Sequence, residues 1–285
     1  MSSAPEILVV GATGATGRAT GTALAQRGVH YRALSRDPSR VDGRFAVPVA
    51  GDLDDPERIR DVFGGVRAAY LVTPSTETAE LQQMRFIELA AKAGVGHIVL
   101  LSQLGARRDS PVRFLRYHAV VEQFAQESGI GLTALRPNLF MQGLLALAGP
   151  IRQYGVLGAP IGDARVSVID VRDIGEIAAL ALTSAEPFGV QTLTGPEALT
   201  HAQLAHELGV ATGRDIRFDD VLPERFAEML KGVLPPWQVD GLLEDYAHYA
   251  RGEAAEVSKA VPKLLGRPAR DFRPFAAEHA KVFAQ

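Results

Sequence analysis

The sequence predicts an α/β fold: a doubly wound parallel sheet, followed by a smaller and mostly helical C-terminal lobe. Two observations predict it. Short apolar runs alternate with segments of helical periodicity through the first half of the chain, and a glycine-rich turn directly follows the first apolar run. Such alternation is typical of βαβ units, in which helices cover both faces of a parallel sheet.

The elements up to Pro137 follow a regular order. The strands are short apolar runs, and the helices carry apolar side chains on one face, as Ala19, Ala23 and Leu24 do in the first of them. Strands are predicted over residues 6–10, 31–34, 46–50, 69–72, 97–101 and 132–135. Helices are predicted over residues 16–26, 56–63, 77–93 and 112–128.

After Pro137 the order changes. Glycine and proline predict a loop through residues 149–150 and 155–162, which is followed by a helix over 172–183 and a strand over 191–193. Beyond Gly195 the chain is expected to be mostly helical, with Thr200 as the N-cap of a helix over 201–212.

Composition excludes several classes of function. The chain has 285 residues, a formal net charge of −3 and no cysteine, which excludes thiolate catalysis, disulfides and thiolate metal sites. Because it has neither a basic field nor an apolar run of about 20 residues, we expect no nucleic-acid partner and no membrane partner. The expectation is a cytoplasmic protein that acts on a small apolar molecule, with a homodimer also allowed.

A candidate phosphate site lies at the turn between the first strand and the first helix, Gly11-Ala12-Thr13-Gly14-Ala15-Thr16-Gly17. Glycines let the backbone approach a diphosphate, and free N–H groups at a helix N-terminus attract its charge. The alternative is a tight turn that binds nothing. The residues expected to bind a dinucleotide here are Gly11, Thr13, Gly14, Ala15, Thr16, Gly17 and Arg18.

The end of the second strand distinguishes the two nicotinamide dinucleotides. An acidic residue there accepts a hydrogen bond from the ribose 2′-hydroxyl of NAD, whereas an arginine pairs with the 2′-phosphate of NADP. Ser35 and Arg36 precede Asp37 here, so we predict NADP(H), with Arg18 as a second cation. In the alternative, Arg36 is a solvated charge and Asp37 selects NAD.

Two further strand ends supply cofactor-binding candidates. Asp52 and Leu53 follow the third strand, where Asp52 either accepts from the adenine amino group or serves as an N-cap or loop carboxylate. Thr73 and Pro74 follow the fourth strand, at the carboxyl edge where doubly wound sheets bind ligands.

Seven segments spread along the chain form a recognisable set: residues 11–18, 35–38, 51–56, 71–74, 135–141, 168–174 and 193–197. Together they resemble the NmrA-like branch of the atypical short-chain dehydrogenases/reductases, nearly end to end. The glycine turn is shared by the whole superfamily, whereas the Arg136-Pro137 segment and the segment around Asp173 are more specific.

The resemblance implies a Rossmann-like NAD(P)-binding domain over residues 1–150, to which 165–194 return. It also implies a smaller substrate-binding lobe over 195–285, with NADP(H) in the groove between the two. The family looks to include NADPH-dependent reductases of quinones, triphenylmethane dyes, phenylpropanoids and iminium alkaloid precursors. It also includes redox-sensing regulators that bind the cofactor and catalyse nothing, so the resemblance leaves the reaction open.

Most short-chain dehydrogenases use a Tyr-x-x-x-Lys pair, in which the lysine lowers the pKa of the tyrosine. None of the 6 tyrosines of this chain is followed four residues later by lysine. The resemblance instead places His118 where the lysine would fall and Phe114 where the tyrosine would fall. Phe114, His118 and Glu122 share one helix face, so Glu122 can orient the imidazole. We expect His118 to hydrogen-bond the nicotinamide ribose or to supply a proton; the alternative is a structural histidine paired with Glu122.

Ser102 and Tyr117 are further catalytic candidates. Ser102 ends the fifth strand, where the catalytic serine of the superfamily falls and where it can also contact the cofactor; alternatively it caps the strand end. Tyr117 adjoins His118 but points about 100° away around the helix, which makes it the weaker acid candidate.

Two residues with side-chain amides and three apolar residues predict a substrate pocket for a flat aromatic molecule. The alternatives are that Asn138 forms a turn and that the apolar side chains form a core. No metal site is expected, because His201 and His206 do not share a helix face. The substrate-binding candidates are Gln103, Asn138, Phe140, Met141 and Trp237.

The sequence therefore predicts an NADP(H)-dependent oxidoreductase that transfers hydride to a flat apolar acceptor, such as a quinone, enone, imine or dye. Two alternatives stay open. One is a regulatory protein that senses NADP(H) without catalysis, and the other is a redox-neutral enzyme on the same fold.

Overall fold

In the computed structural model, which describes residues 5–284, the chain divides into two compact units. The first unit comprises the residues up to Arg108, Arg116–Arg136 and Val171–Gln191, and the second comprises Asp109–Leu115, Pro137–Asp170 and the residues from Thr192 onwards. Both units are therefore discontinuous in sequence. The division into folding domains with boundaries at 150 and 195 stays a prediction.

The strands are β1 (Ile7–Val9), β2 (Tyr31–Ser35), β3 (Ala46–Ala50), β4 (Ala68–Leu71), β5 (His97–Leu101), β6 (Gly131–Pro137), β7 (Val156–Ala159), β8 (Arg165–Val166), β9 (Gly189–Leu193), β10 (Leu199–Thr200) and β11 (Arg217–Asp220). The helices are α1 (Ala15–Gln26), α2 (Pro56–Arg60), α3 (Ala79–Lys92), α4 (Arg113–Glu127), α5 (Ala148–Tyr154), α6 (Val171–Thr183), α7 (His201–Thr212), α8 (Pro223–Leu230), α9 (Pro236–Ala250), α10 (Ala260–Leu265), α11 (Phe272–Glu278) and α12 (Ala280–Ala284). Short 3-10 helices lie at Pro38–Arg40, Asp61–Phe63 and Met141–Leu147.

The first unit is built on a seven-stranded sheet in the order β3-β2-β1-β4-β5-β6-β9. The pairs from β3 to β6 are parallel, with Leu8 opposite Arg32 on one side and Ala69 on the other. The residues of β1, β4 and β5 are all buried, whereas β3 is an edge strand with Pro48 in its middle, where no N–H is available for a further strand. This confirms the predicted Rossmann-like doubly wound sheet.

Helices α1 and α6 pack closely in this unit because a glycine lies at their crossing. A Cβ on Gly175 would lie 2.5 Å from the carbonyl carbon of Ala19, so any larger residue would push the helices apart. This contact fixes α1, whose first turn follows the glycine-rich loop.

The second unit has its own apolar core. Side chains from the 3-10 helix Met141–Leu147, α5, α7, α9 and α11 meet there, and Met141, Leu204 and Phe275 are fully buried. Two small sheets border it, one with β7 parallel to β11 and one with β8 antiparallel to β10. The predicted N-cap of α7 is confirmed: the Thr200 hydroxyl accepts from the N–H of Gln203, whose side chain accepts from the N–H of Thr200.

The loop predicted through 149–150 and 155–162 is wrong over residues 149–150 and 156–159, whereas residues 160–162 lie in the loop between β7 and β8 as predicted. Over 149–150 and 156–159 the chain forms α5 and β7, and its glycine and proline serve the ends of these elements. Pro150 lies in the first turn of α5, where its missing N–H leaves no helical bond unmade. Gly155 ends the helix in the left-handed conformation at φ 64°.

Within the described part of the chain, none of the helices is long and apolar enough to cross a membrane.

Candidate functional site

The sheet of the first unit brings the expected cofactor-binding segments to one edge. The strand order reverses between the neighbours β1 and β4, and in doubly wound sheets ligands bind outside the carboxyl ends of the strands at this point. Gly11 follows β1 and Thr73 follows β4. The segments after β2 and β3 end at the same edge, because these strands are parallel to β1.

Two of the three glycines of the turn are required by contacts within the chain. Gly11 has φ 65°, and a Cβ there would lie 2.7 Å from Val72 Cγ1. A Cβ on Gly17 would lie 2.1 Å from the carbonyl oxygen of Gly11, which no relaxation of a side chain can relieve. A Cβ on Gly14 would meet only that same oxygen, at 3.3 Å. The middle glycine is therefore not required for packing, and its place suits close approach by a ligand.

The N-terminus of α1 carries no capping side chain. Its N-cap is Gly14, no side chain accepts from its first N–H groups, and its first turn contains no acidic residue. The N–H groups of Ala15, Thr16 and Gly17 therefore have no helical acceptor, and the helix dipole adds positive potential there. Arg18 is exposed beside them, and its Nε donates to the carbonyl oxygen of Thr13 at 2.8 Å. This end of α1 is suited to an anion such as a diphosphate.

In the loop after β2, the arginine is available to a ligand, whereas the aspartate is held by local hydrogen bonds. Arg36 is exposed, with neither a hydrogen bond nor an ion pair among residues 5–284. Asp37 Oδ1 accepts from the N–H and the hydroxyl of Ser39 at 3.1 and 2.6 Å, and these bonds hold the pKa of that carboxyl below its usual range. Ser35 Oγ donates to the carbonyl of Asp37 at 2.9 Å. A 2′-phosphate therefore has a free cation here.

The loop after β3 holds Asp52 in a local turn. Its Oδ1 accepts from the N–H of Asp54 at 3.1 Å, and its carbonyl accepts from the N–H of Asp55 at 3.0 Å. Asp55 in turn is the N-cap of α2. Asp52 and Leu53 are both half-buried, and their contact with the adenine stays a prediction.

Thr73 has a buried partner that the sequence analysis missed. Its Oγ1 accepts from Gln83 Nε2 at 2.7 Å, which leaves the hydroxyl proton of Thr73 for another acceptor. Gln83 is 1% exposed and lies on the α3 face that also buries Ala79 and Phe86. In the sequence, Gln83 is a polar residue at a position of α3 where helical periodicity predicts an apolar one, and this pattern could have identified it. Pro74, the next residue after Thr73, is exposed.

Ser102, Glu122 and Arg136 form a closed polar network at the ends of β5 and β6. Arg136 donates to both oxygens of Glu122, from Nε at 2.9 Å and from Nη2 at 2.6 Å, and the Ser102 hydroxyl also donates to Glu122. Glu122 is 3% exposed, so this bidentate pair compensates a buried carboxylate. The proton of Ser102 is directed to the carboxylate, which favours its structural alternative.

His118 is buried in the neutral form. Burial, together with the nearby positive charge of Arg136, lowers its pKa to about 3. Its Nδ1 is buried and has no hydrogen-bond partner among the described residues. The expected pairing with Glu122 is wrong, because Arg136 and Ser102 occupy that carboxylate. His118 can thus exchange hydrogen bonds with a ligand, but at neutral pH it is not the imidazolium that would act as a general acid.

Tyr117 lies against His118 and reaches the loop after β4. The two rings lie 4.1 Å apart at 35°, and the Tyr117 hydroxyl is 3.1 Å from Ser75 Oγ. Tyr117 is 6% exposed, whereas Ser75 is half-buried. Gln103, on the loop after β5, is half-buried, and its carbonyl accepts from the N–H of Ala106.

Asn138 lies in the second unit and serves its structure. Its Nδ2 donates to Ser167 Oγ and to the carbonyl of Ala254, each at 2.8 Å, and its Oδ1 accepts from the N–H of Leu139. Asn138 is 4% exposed, and both N–H groups of its side-chain amide donate to atoms of the chain. These contacts therefore disfavour the substrate role expected for Asn138.

The three apolar candidates for the pocket also lie in the second unit. Met141 is fully buried in its core, which favours the core alternative. Phe140 is half-buried and bridges to Ile169. Trp237 is half-buried and packs on Phe114 at 5.4 Å. Among the residues that the structure describes, no cluster of three metal-ligating side chains is found.

The parallel sheet and the open glycine turn at its switch point define a dinucleotide-binding protein of the Rossmann class. The chain belongs to the NmrA-like family, whose model matches residues 3–263. It is 36% identical over 282 residues to the NAD(P)H azoreductase of Xenophilus azovorans, covering 97% of this chain and 99% of that protein. It is also 36% identical over 282 residues to a (4-alkanoyl-5-oxo-2,5-dihydrofuran-3-yl)methyl phosphate reductase of Streptomyces griseus, covering 98% and 99%.

Among solved structures, the chain is similar to the NADPH-dependent quinone oxidoreductase of Escherichia coli complexed with NADPH. The TM-score is 0.86 at 27% identity, covering 95% of this chain and 99% of that one.

Proposed function

We propose that this chain is an NADPH-dependent reductase that transfers hydride to a flat, apolar, electron-poor acceptor such as a quinone, an enone, an imine or an azo or other dye. The observation that carries the proposal is the uncapped start of α1, where Gly14 leaves room for a ligand, together with the uncommitted Arg36 at the end of β2. The relatives support it, since one is named an NAD(P)H azoreductase and another an NADPH-dependent quinone oxidoreductase.

The residues present fit NADP(H). The N–H groups of Ala15, Thr16 and Gly17 would hold the diphosphate, and Arg36 would pair with the 2′-phosphate. Thr73, whose hydroxyl proton is left available by Gln83, and His118, whose buried Nδ1 has no partner among residues 5–284, would hydrogen-bond the nicotinamide half. When bound, the cofactor supplies a hydride at its nicotinamide ring.

The acid–base groups of the first unit favour acceptors that tolerate a negative charge. His118 is neutral at physiological pH, and the Ser102 hydroxyl donates to Glu122. A quinone or enone, which delocalises the electron pair of the hydride, needs little help from an acid, so positioning supplies most of the catalysis. An azo dye differs, because hydride addition leaves a basic nitrogen anion that needs a proton. This is the reason for proposing electron-poor conjugated acceptors rather than simple ketones. A cytoplasmic location and a homodimer stay predictions.

The test is anaerobic consumption of NADPH by the purified protein against a panel of quinones, enones, imines and azo dyes, with NADH measured alongside. We expect turnover of at least one acceptor class and a preference for NADPH. Demonstrated NADPH binding without consumption by any acceptor would instead assign the chain to cofactor sensing or to redox-neutral chemistry.

A further inference from the structure

Three hydroxyl or imidazole groups of the first unit were candidates for proton transfer, and the geometry separates them. The Ser102 hydroxyl is directed at Glu122, and Glu122 is also held by Arg136. His118 is 7% exposed and lies close enough to Arg136 to be disfavoured as a cation. The Ser102 proton is thus directed away from an acceptor, and the neutral His118 ring is not a general acid at neutral pH.

Tyr117 is the third candidate, and its hydroxyl lies beside the hydroxyl of Ser75. The Tyr117 oxygen lies 3.1 Å from Ser75 Oγ, and either atom can be the donor. Ser75 belongs to the loop that follows β4, the strand beside the glycine turn at the switch point of the sheet. The phenol is therefore held at the carboxyl edge where ligands of doubly wound sheets bind. The His118 ring, 4.1 Å away, supports the tyrosine ring from one side.

We propose that Tyr117 is the proton donor for acceptors whose reduction creates a strongly basic anion, azo compounds in particular, and that Ser75 orients its hydroxyl. This rests on the proposed reductase function and specifies its chemistry. In the step, one azo nitrogen gains hydride from NADPH and the other gains the Tyr117 proton. The N=N double bond becomes an N–N single bond, NADPH becomes NADP, and solvent reprotonates the tyrosinate.

The chemistry of the acceptors predicts a selective effect. Hydride addition to a quinone leaves a phenolate, which is stable near neutral pH without an immediate proton. Hydride addition to an azo group leaves a nitrogen anion, a far stronger base that requires a proton in the same transition state. A positioned general acid contributes about 10²- to 10⁴-fold, and that contribution should fall mainly on the azo reaction.

The experiment compares Tyr117→Phe and Ser75→Ala with the wild-type protein, using methyl red as the azo probe and 2-methyl-1,4-naphthoquinone as the quinone probe. We expect Tyr117→Phe to lower kcat/KM for the dye by about 100-fold and the ratio of dye to quinone kcat/KM by at least about 30-fold. Ser75→Ala should lower the same ratio by a smaller factor. NADPH affinity, measured by fluorescence titration, should stay within about twofold, because phenylalanine retains the contact with His118.

Tyr154→Phe is the matched control, since Tyr154 is 68% exposed on α5. Equal losses with both acceptors, or no loss with the dye, would overturn the assignment of Tyr117. A larger loss in Ser75→Ala than in Tyr117→Phe would give the proton to the serine and overturn it as well. Wild-type protein that reduces the quinone but not the dye would overturn the assignment and leave the reductase function standing. Wild-type protein that reduces neither, or any other acceptor of the panel, would overturn the proposed function itself.

Discussion

At the scale of single residues, Arg36 and Asp37 decide between two cofactors by what each side chain already contacts. Asp37 Oδ1 accepts two hydrogen bonds from Ser39, whereas the exposed Arg36 has no ion pair among residues 5–284. These bonds hold the Asp37 carboxylate toward Ser39 through Oδ1 and leave only Oδ2 as an unengaged acceptor for a ribose hydroxyl. A solvated guanidinium gives up only water to bind a phosphate. The local contacts therefore favour the arginine as the selecting group.

The variant Arg36→Ala is expected to lose most of the preference for NADPH. Removing a hydrogen bond to a charged group costs about 1.5–3 kcal/mol, which corresponds to a rise in the KM for NADPH of roughly 10- to 150-fold. The KM for NADH should change little, since NADH has no 2′-phosphate. Steady-state kinetics with both cofactors measures the ratio.

Arg27→Ala is the control for this variant, because Arg27 is an exposed arginine at the opposite end of α1. It should leave the ratio of the two KM values as it is. An unaltered preference for NADPH in Arg36→Ala would return Asp37 or Arg18 to consideration.

Where the contacts disfavour a residue-scale prediction, the deciding partners are distant in sequence. Helical spacing correctly places His118 and Glu122 on one face, yet it carries no information about Arg136, which reaches Glu122 from β6. In the same way, the asparagine after Arg136-Pro137 could be found in the sequence, but its partners Ser167 and Ala254 could not. Periodicity identifies a helix face, whereas tertiary contacts decide what the face binds.

At the scale of elements, most strands of the first unit were predictable because β1, β2, β4 and β5 are buried apolar runs, and the edge strand β3 is a short apolar run as well. The predicted bounds of β3 and β5 agree with the structure, and those of β1, β2 and β4 differ by one residue at most at each end. In contrast, β11 consists of Arg217–Asp220 and contains a single apolar residue, so it has no pattern of its own. The segment is a strand because it pairs with β7.

The glycine turn permits a prediction that separates folding from binding. In Gly14→Ala the new methyl group meets only the Gly11 oxygen at 3.3 Å, at backbone angles that alanine adopts readily. We expect this variant to fold, with a loss of stability of about 0.5–1 kcal/mol at the N-cap. Its affinity for NADPH should fall at least tenfold, because the methyl group lies at the start of the helix where the diphosphate would bind. Thermal unfolding and fluorescence titration measure the two effects.

Gly17→Ala is the matched comparison within the same turn. Its Cβ would lie 2.1 Å from a backbone oxygen, so this variant should be poorly folded even without a ligand. If Gly14→Ala bound NADPH as tightly as the wild-type protein, the diphosphate would not lie at this turn.

At the scale of the whole molecule, burial lowers the pKa of three histidines. Burial lowers the pKa of His118 to about 3 and the pKa of His97 and His201 to about 4, with Arg136 and Arg67 adding to the effect at the first two. All three are neutral in the folded protein at neutral pH. In the unfolded chain each would have an ordinary pKa of about 6.5. The unfolded state therefore binds protons between pH 6.5 and 4 that the folded state does not.

This difference predicts that the protein loses stability as the pH falls through that interval. With folded pKa values below the unfolded ones, each histidine leaves stability intact above about pH 6.5 and removes about 1.8 kcal/mol between pH 7 and pH 5, on the order of 5–6 kcal/mol for the three. Urea unfolding at the two pH values measures the loss.

In His201→Phe, which can retain the ring packing on Phe218 and Tyr246, the loss should shrink by about one third. The exposed His206, changed to glutamine, should leave the loss at its wild-type value. If His201→Phe and the wild-type protein lost equal stability, His201 would not contribute to acid sensitivity, and the polar networks around the other two histidines would have to account for it.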